Sequence, residues 1–284
     1  MLVSPLRYPG GKAKLFEFFA LLIQQNKLFG CTYCEPYAGG AGLALRLLSG
    51  GFVERIELND VDEAIWAFWT SVLDYNREFR RLIETSTLTI EEWHRQRQIW
   101  ECKDLSDPLS LGFATFFLNR TNRSGIIEGA GPVGGYAQAG RWRLDARFDK
   151  VKQAASIQAL VPYRNRMLIS RFDALEFLKS SLPNQRALTY LDPPYYVKGS
   201  KLYRNSYVHI DHERVRDAVS ENRAGCWVVS YDAVSEIRAI YSDYEPISYS
   251  LSYSAGQSGA GREIIFLSDA LVAPVLKGFL REAA

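Results

Sequence analysis

Apolar positions in the first third of the chain follow two alternating rhythms. Over residues 12 to 29, Leu15, Phe18, Phe19, Leu22 and Ile23 recur at helical spacing and predict a helix with one buried stripe. TYCEPY (32 to 37) reads as a short buried strand, AGGAG (38 to 42) as a glycine-rich turn and LALRLLS (43 to 49) as a helix. VERIELND (53 to 60) predicts a second strand that ends in two small polar residues, with a helix behind it at 63 to 75. This strand-helix order predicts a parallel sheet covered by helices, with ligands outside the carboxyl ends of its strands.

The middle of the chain breaks the rhythm. Residues 76 to 118 are helical by pattern, in three runs with no strand between them, the second capped by Thr89. They lead into NRTNRSGIIEGAGPVGGYAQAGR, where Gly125, Gly129, Gly131, Gly134, Gly135 and Gly140 exclude regular helix or strand. A loop of that length inside a compact chain is usually functional or disordered. A helix at 147 to 161 follows. Strands are then predicted at 166 to 172, 187 to 192 and 226 to 231, with helices at 174 to 181, near 211 to 221 and at 235 to 241, and a closing strand pair near 245 to 253 and 262 to 268. The organisation is one α/β domain, 1 to 75 and 147 to 284, interrupted by a helical module and basic loop at 76 to 146.

Composition narrows the class. With 284 residues, 47% of them apolar, the chain can bury a substantial core. The opening MLVSPLRYPGGK has no apolar stretch of the kind an export signal carries, and no charge-free run of about 18 apolar residues occurs. Cys31, Cys34, Cys102 and Cys226 are too scattered for a disulfide scaffold, and a reducing cytoplasm is the expected setting. Cys31 and Cys34 have metal-like spacing, but no second pair answers them, and no metal site is expected. His209 and His212 are read as a solvated loop or helix start. The net charge of +2 decides nothing, whereas residues 119 to 152 hold seven basic side chains against three acidic ones. Such a local excess suits phosphate contact, and equally an ordinary solvated face.

Three constellations carry chemistry. Leu191-Asp192-Pro193-Pro194-Tyr195 delivers an acid to the end of an apolar strand, and two prolines then fix the backbone so that the Asp192 carboxylate and the Pro193 carbonyl can aim at one spot. Two convergent acceptors are what an aromatic amine requires, because its lone pair is delocalised until both N–H bonds are engaged. Tyr195 and Tyr196 offer flat faces for a base. The alternative is a proline turn in which Asp192 caps backbone amides.

The second constellation, Glu35 to Gly42, lets backbone approach a ligand closely, while Asp60 ends the next strand, where a carboxylate can bind ribose hydroxyls. That suits an adenosine cofactor; tight packing and helix capping by Asn59 or Asp60 are the alternatives. The third, Ser4 to Lys12, resembles a tight turn entering a helix, with Lys12 able to meet a carboxylate. It is equally a plain helix entry.

Taken in order, Tyr8 to Lys12, Glu35 to Gly39, Asp60, Asn119-Arg120 and Asp192 to Tyr195 resemble the landmarks of the Dam-type DNA N6-adenine methyltransferases, and the resemblance covers nearly the whole chain. It implies a Rossmann-like S-adenosylmethionine-dependent methyltransferase sheet with helices on both faces and an inserted target-recognition module. The implied reaction is site-specific transfer of a methyl group to N6 of an adenine flipped out of double-stranded DNA. By resemblance Tyr8, Gly11, Lys12, Glu35, Pro36, Tyr37, Gly39, Asp60, Asp173 and Asp192 bind S-adenosylmethionine. Asp192, Pro193, Pro194 and Tyr195 form the catalytic turn, and Asn119, Arg120, Arg123, Ser124, Arg141 and Arg143 meet DNA. A cytoplasmic, bacterial or phage-encoded monomer is implied, with a cognate restriction enzyme among the partners such enzymes have.

The chain departs from the pattern at Ala41, where glycine is more usual, and at Arg123, Ser124 and Glu128 in the DNA-reading hairpin, so no target sequence transfers. Arg123 suits guanine O6/N7 or a phosphate; Glu128 suits cytosine N4 or solvent. N4-cytosine, RNA or protein-amide methylation are rivals within the same chemistry. A DNA-binding module with a vestigial pocket is opposed by Lys12, Asp60 and Asp192. A nicotinamide-linked Rossmann enzyme leaves the Asp192 turn unexplained.

Overall fold

The computed structural model describes residues 1–7, 12–197, 207–252, 260–276 and 279–281. Strands β1 (Cys31–Glu35), β2 (Val53–Asn59), β3 (Met167–Ser170), β4 (Ala187–Leu191), β5 (Cys226–Asp232), β6 (Ile247–Ser252), β7 (Ala260–Leu267) and β8 (Phe279–Arg281) form one sheet in the order β3-β2-β1-β4-β5-β7-β6-β8. β3 through β5 run parallel in that order, whereas β7 is antiparallel to both β5 and β6. The edge strand β8, antiparallel to β6, has no counterpart in the sequence-based expectations, because three residues are too few for an alternating pattern to show.

This order puts a topological switch between β1 and β4. From β1 the chain builds outward through β2 and β3, then returns to lay β4 on the other side of β1. The crevice at the carboxyl ends of those two strands is where such sheets bind ligands. The Glu35 and Asp192 motifs leave from these two ends.

Ten α-helices among the described residues cover the sheet: α1 (Phe16–Gln25), α2 (Gly42–Ser49), α3 (Glu63–Asp74), α4 (Asn76–Thr85), α5 (Ile90–Cys102), α6 (Pro108–Thr121), α7 (Lys150–Gln158), α8 (Ala174–Ser181), α9 (His209–Ser220) and α10 (Ser235–Ile240). They lie on both faces. Alternate strand residues separate into two apolar clusters: Tyr190, Val228 and Ile265 join the layer of α1 to α3, while Leu191, Val229 and Ile264 join that of α8 to α10. None of the described helices is long and apolar enough to cross a membrane.

The helices of residues 76 to 146 extend the first cluster rather than building one of their own. α6 is apolar almost all round and lies against α3, and Phe79, Trp93, Phe113 and Phe116 belong to the same cluster as Tyr33 and Phe68. At Gly112 the approach is close enough that a Cβ would stand 2.5 Å from the Ala67 carbonyl oxygen. α5 begins at the Thr89 cap, whose side chain accepts from Glu92 N as the sequence predicts.

Candidate active site

At the tip of β1 the glycine-rich turn is locked to the tip of β2. Ala38 N donates to the Asn59 carbonyl at 2.9 Å, Gly39 N to Asp60 Oδ2 at 2.8 Å, and Trp69 Nε1 to the Gly39 carbonyl at 2.9 Å. Asp60 also accepts from Asp62 N at 3.0 Å, and burial, reinforced by Asp62, pushes its carboxyl up to about 7. Ala41 caps α2 in a left-handed conformation (φ 48°), so the turn keeps its geometry with alanine in place of the more usual glycine.

Several expected cofactor residues divide between surface and support. Glu35 is buried and accepts from Tyr33 Oη at 2.9 Å; burial pushes its carboxyl up to about 8 against that bond. Its side chain supports the turn from below. The Pro36 carbonyl accepts from the buried Asn59 amide at 3.1 Å. Tyr37 Oη lies 2.9 Å from Tyr207 Oη, and Asp173 is exposed, capping α8 through Leu175 N at 2.9 Å. Tyr8 and Gly11 lie outside the described residues.

At the end of β4, Asp192 divides its two oxygens. Oδ1 accepts from Ser230 Oγ at 2.9 Å and lies 3.2 Å from Lys12 Nζ; Ser230 is held in turn by Tyr190 Oη at 2.7 Å. Oδ2 receives no hydrogen bond from any described residue, and 26% of the side chain remains exposed. Burial pushes the Asp192 carboxyl up, and Lys12 opposes that shift. Pro193 is buried, Pro194 and Tyr195 are half-buried, and the turn is pinned beyond them by Tyr196 N and Val197 N, which donate to the Asp232 carboxylate at 3.0 and 3.2 Å.

Lys12 ties the N-terminal motif to this turn. Its Nζ reaches Glu263 Oε2 at 2.8 Å and Tyr195 Oη at 2.6 Å, and Tyr195 and Tyr249 both donate to Glu263. Burial alone would lower the Lys12 pKa; Asp192 and Glu263 outweigh it and hold the ammonium charged. Glu263 is 1% exposed, yet its pKa stays below the ordinary value, since Lys12 and three hydrogen bonds override the cost of burial.

A family model described as D12 class N6 adenine-specific DNA methyltransferase matches residues 8–254. The chain belongs to this family. It is an enzyme that methylates adenine N6 in DNA, built on the α/β methyltransferase sheet. No curated protein matches it. Similar solved structures include a conserved hypothetical protein of Streptococcus pyogenes (12% identity, 84% of this chain and 87% of that one, TM-score 0.33). The rRNA methyltransferase AviRa of Streptomyces viridochromogenes follows at 11% identity (93% and 87%, TM-score 0.33), and a Legionella pneumophila protein at 13% (94% and 88%, TM-score 0.36). Likenesses this slight add nothing to the assignment.

Of the methyltransferase's expected DNA-contacting residues, Asn119 is not at the surface. It is 3% exposed, and its amide holds the Arg7 backbone in both directions at 2.7 Å and the Gly125 carbonyl at 2.9 Å. A side chain so engaged positions Arg7 and the loop, and a direct DNA contact is not open to it. Arg120 is half-buried and donates to the Pro5 carbonyl; burial and then Arg7 lower its pKa to about 10. Arg7 is lowered as well, by burial and then by Arg147. These three arginines have no carboxylate partner among the described residues. Arg123, Ser124, Arg141 and Arg143 are exposed, as the sequence suggests.

Sequence reasoning missed Glu263 and Ser230. Each lies inside an apolar strand pattern, and the signal available was a polar residue at a core-facing register. His212, expected at a solvated helix start, is instead fully buried, 3.1 Å from Tyr231 Oη.

Proposed function

We propose that this methyltransferase takes its methyl group from S-adenosylmethionine and acts at specific sites on an adenine rotated out of duplex DNA. The observation that carries the reading is the half-engaged Asp192 carboxylate at the switch-point crevice. Lys12 and Ser230 fix one oxygen, and the other is left to accept an N–H of the adenine amine. Tyr195, held at its hydroxyl by Lys12 and Glu263, offers its ring as the stacking face. Rotating the base from the helix costs a few kcal/mol, which stacking and these hydrogen bonds offset.

The donor fits the opposite tip. Asp60 uses one contact on each oxygen, with Gly39 N and Asp62 N, and retains acceptor capacity for ribose hydroxyls. Tyr37, exposed Phe172 and Asp173 would flank the adenine of the cofactor. When bound, S-adenosylmethionine supplies an electrophilic methyl group; the protein's part is alignment of the amine and exclusion of water.

Arg7, Arg120 and Arg147 suit the DNA backbone, since a phosphate would relieve cations that now repel one another. We assign the DNA-facing role within residues 76 to 146 chiefly to α5 and the loop after α6, because α6 itself is core. Incubating the protein with methyl-labelled S-adenosylmethionine and duplex DNA, then separating the nucleosides, tests the reading. Label in N6-methyladenine is the expected result; label in cytosine, or none in DNA, contradicts it.

A further inference from the structure

A cleft of about 490 Å³ lies away from the Asp192 turn, between α5 and the glycine-rich loop. Its walls are fixed. Trp93 Nε1 donates to Asn122 Oδ1 at 2.7 Å, and the fully buried Asn122 amide reaches the Ile126 carbonyl at 2.9 Å and the Ala130 carbonyl at 3.3 Å. Arg123 N bonds the Gly131 carbonyl at 3.1 Å and Val133 N the Thr121 carbonyl at 2.8 Å, closing the loop on the end of α6. Arg97 adds a strut to the Ile127 carbonyl at 2.6 Å.

The cleft's lining sets aromatic rings and an amide beside an Arg97–Glu101 ion pair. Inside, His94 and Tyr136 stack at 5.8 Å, with Trp93 edge-on to both rings. Beside them Gln98 is exposed and forms no hydrogen bond among the described residues. Gly129 and Gly131 offer bare backbone, and the space where a Gly129 side chain would stand is open. Among the described residues lining the cleft the one guanidinium, Arg97, is already held at 2.6 Å by Glu101, which lines it too. Further arginines, with no carboxylate partner among the described residues, stand on the adjoining loop. Arg123 lies with Nη2 beside Gly131, and Arg141 and Arg143 are exposed, Arg141 over the exposed Trp142 ring at 5.2 Å.

Flat rings and an unengaged amide lining the cleft, with its lining cation already paired and further arginines on the adjoining loop, match the division between base reading and backbone positioning. We propose that this cleft is a sequence-reading subsite for duplex DNA. Gln98 pairs through its amide with a base edge flanking the target adenine in the recognised sequence, and His94 and Tyr136 form the flat wall against which that base or a thymine methyl packs. The proposal rests on the DNA reading above and adds to it where the target sequence is discriminated.

The test compares wild type with Gln98→Ala, His94→Ala and Tyr136→Ala, all altered at exposed positions. Methylated adenines are mapped in the DNA of cells expressing each protein, and rates are measured on the wild-type target duplex and on duplexes changed at one flanking base pair. S-adenosylhomocysteine binding monitors the fold. The expected result is that discrimination at one or two flanking positions falls about tenfold or more, with S-adenosylhomocysteine affinity unchanged. An unchanged map in all three variants overturns the proposal, as does an equal loss of rate on every duplex, which marks a positional contact. A wild-type protein that leaves adenine in DNA unmethylated fails the underlying function instead.

Discussion

Lys12 and Glu263 stand 251 positions apart in the chain and meet as a buried ion pair at 2.8 Å. Through it the N-terminal motif, the β7 strand and the Asp192 turn become one unit, because Tyr195 bonds both partners. Removing one partner of such a buried pair typically costs ~3–5 kcal/mol, since the other charge is left uncompensated.

Glu263→Gln keeps a hydrogen-bonding side chain of the same size and removes the charge. Lys12 then leans on Asp192 alone, and the oxygen pattern at the turn changes. We expect kcat to fall about tenfold, equivalent to ~1.4 kcal/mol in the barrier, with a smaller change in KM for the methyl donor. Steady-state kinetics check this, and retention of full kcat would reduce Glu263 to a packing role.

Asp60 gives a pH-dependent prediction. Its folded pKa of about 7 lies above the ordinary aspartate value of 3.8, so the fold favours the protonated form. The stability this contributes is complete below the unfolded pKa and is lost as pH rises through about 7. Wild type is expected to lose stability between about pH 5 and about pH 9, whereas Asp60→Asn, which never ionises, should lack that slope while giving up one backbone N–H acceptor at every pH. Donor binding moves oppositely: wild-type affinity should rise as Asp60 ionises, and the variant should bind weakly at every pH. Melting curves and calorimetry across that range report both.

Much of this site was legible in the sequence because its parts sit at strand ends. Asp192 follows an apolar run directly and Asp60 closes the strand pattern VERIELND, and a residue at that position must emerge at the carboxyl edge of a parallel sheet. Ser230 and Glu263 carry no such mark. They occupy inward positions within strands, and their partners are set by the order of β4, β5 and β7, which no local pattern encodes. Asn119 shows the converse: its place in the Asn-Arg landmark implied a DNA contact by resemblance, whereas the buried face of α6 turns it toward Arg7. The glycines of 125 to 140 marked an irregular loop correctly, but its fixed shape comes from Asn122, a single polar side chain in the core.

Ala41 offers a test of the glycine-rich turn's backbone. A residue with a Cβ in the left-handed region costs roughly 1–2 kcal/mol, and glycine removes that cost. Ala41→Gly should therefore raise stability by about 1 kcal/mol in denaturant unfolding, less whatever packing the buried methyl provides. A clear loss of stability would mean that the methyl group's contacts outweigh the backbone strain.

The most direct test of the central claim is single-turnover methyl transfer by Asp192→Ala, measured beside S-adenosylhomocysteine binding. Because Lys12 keeps its pairing with Glu263 when Asp192 is removed, the account predicts transfer reduced by about a hundredfold or more with affinity held within a few fold. Transfer at near wild-type rate, or a collapse of binding equal to the loss of transfer, would contradict it.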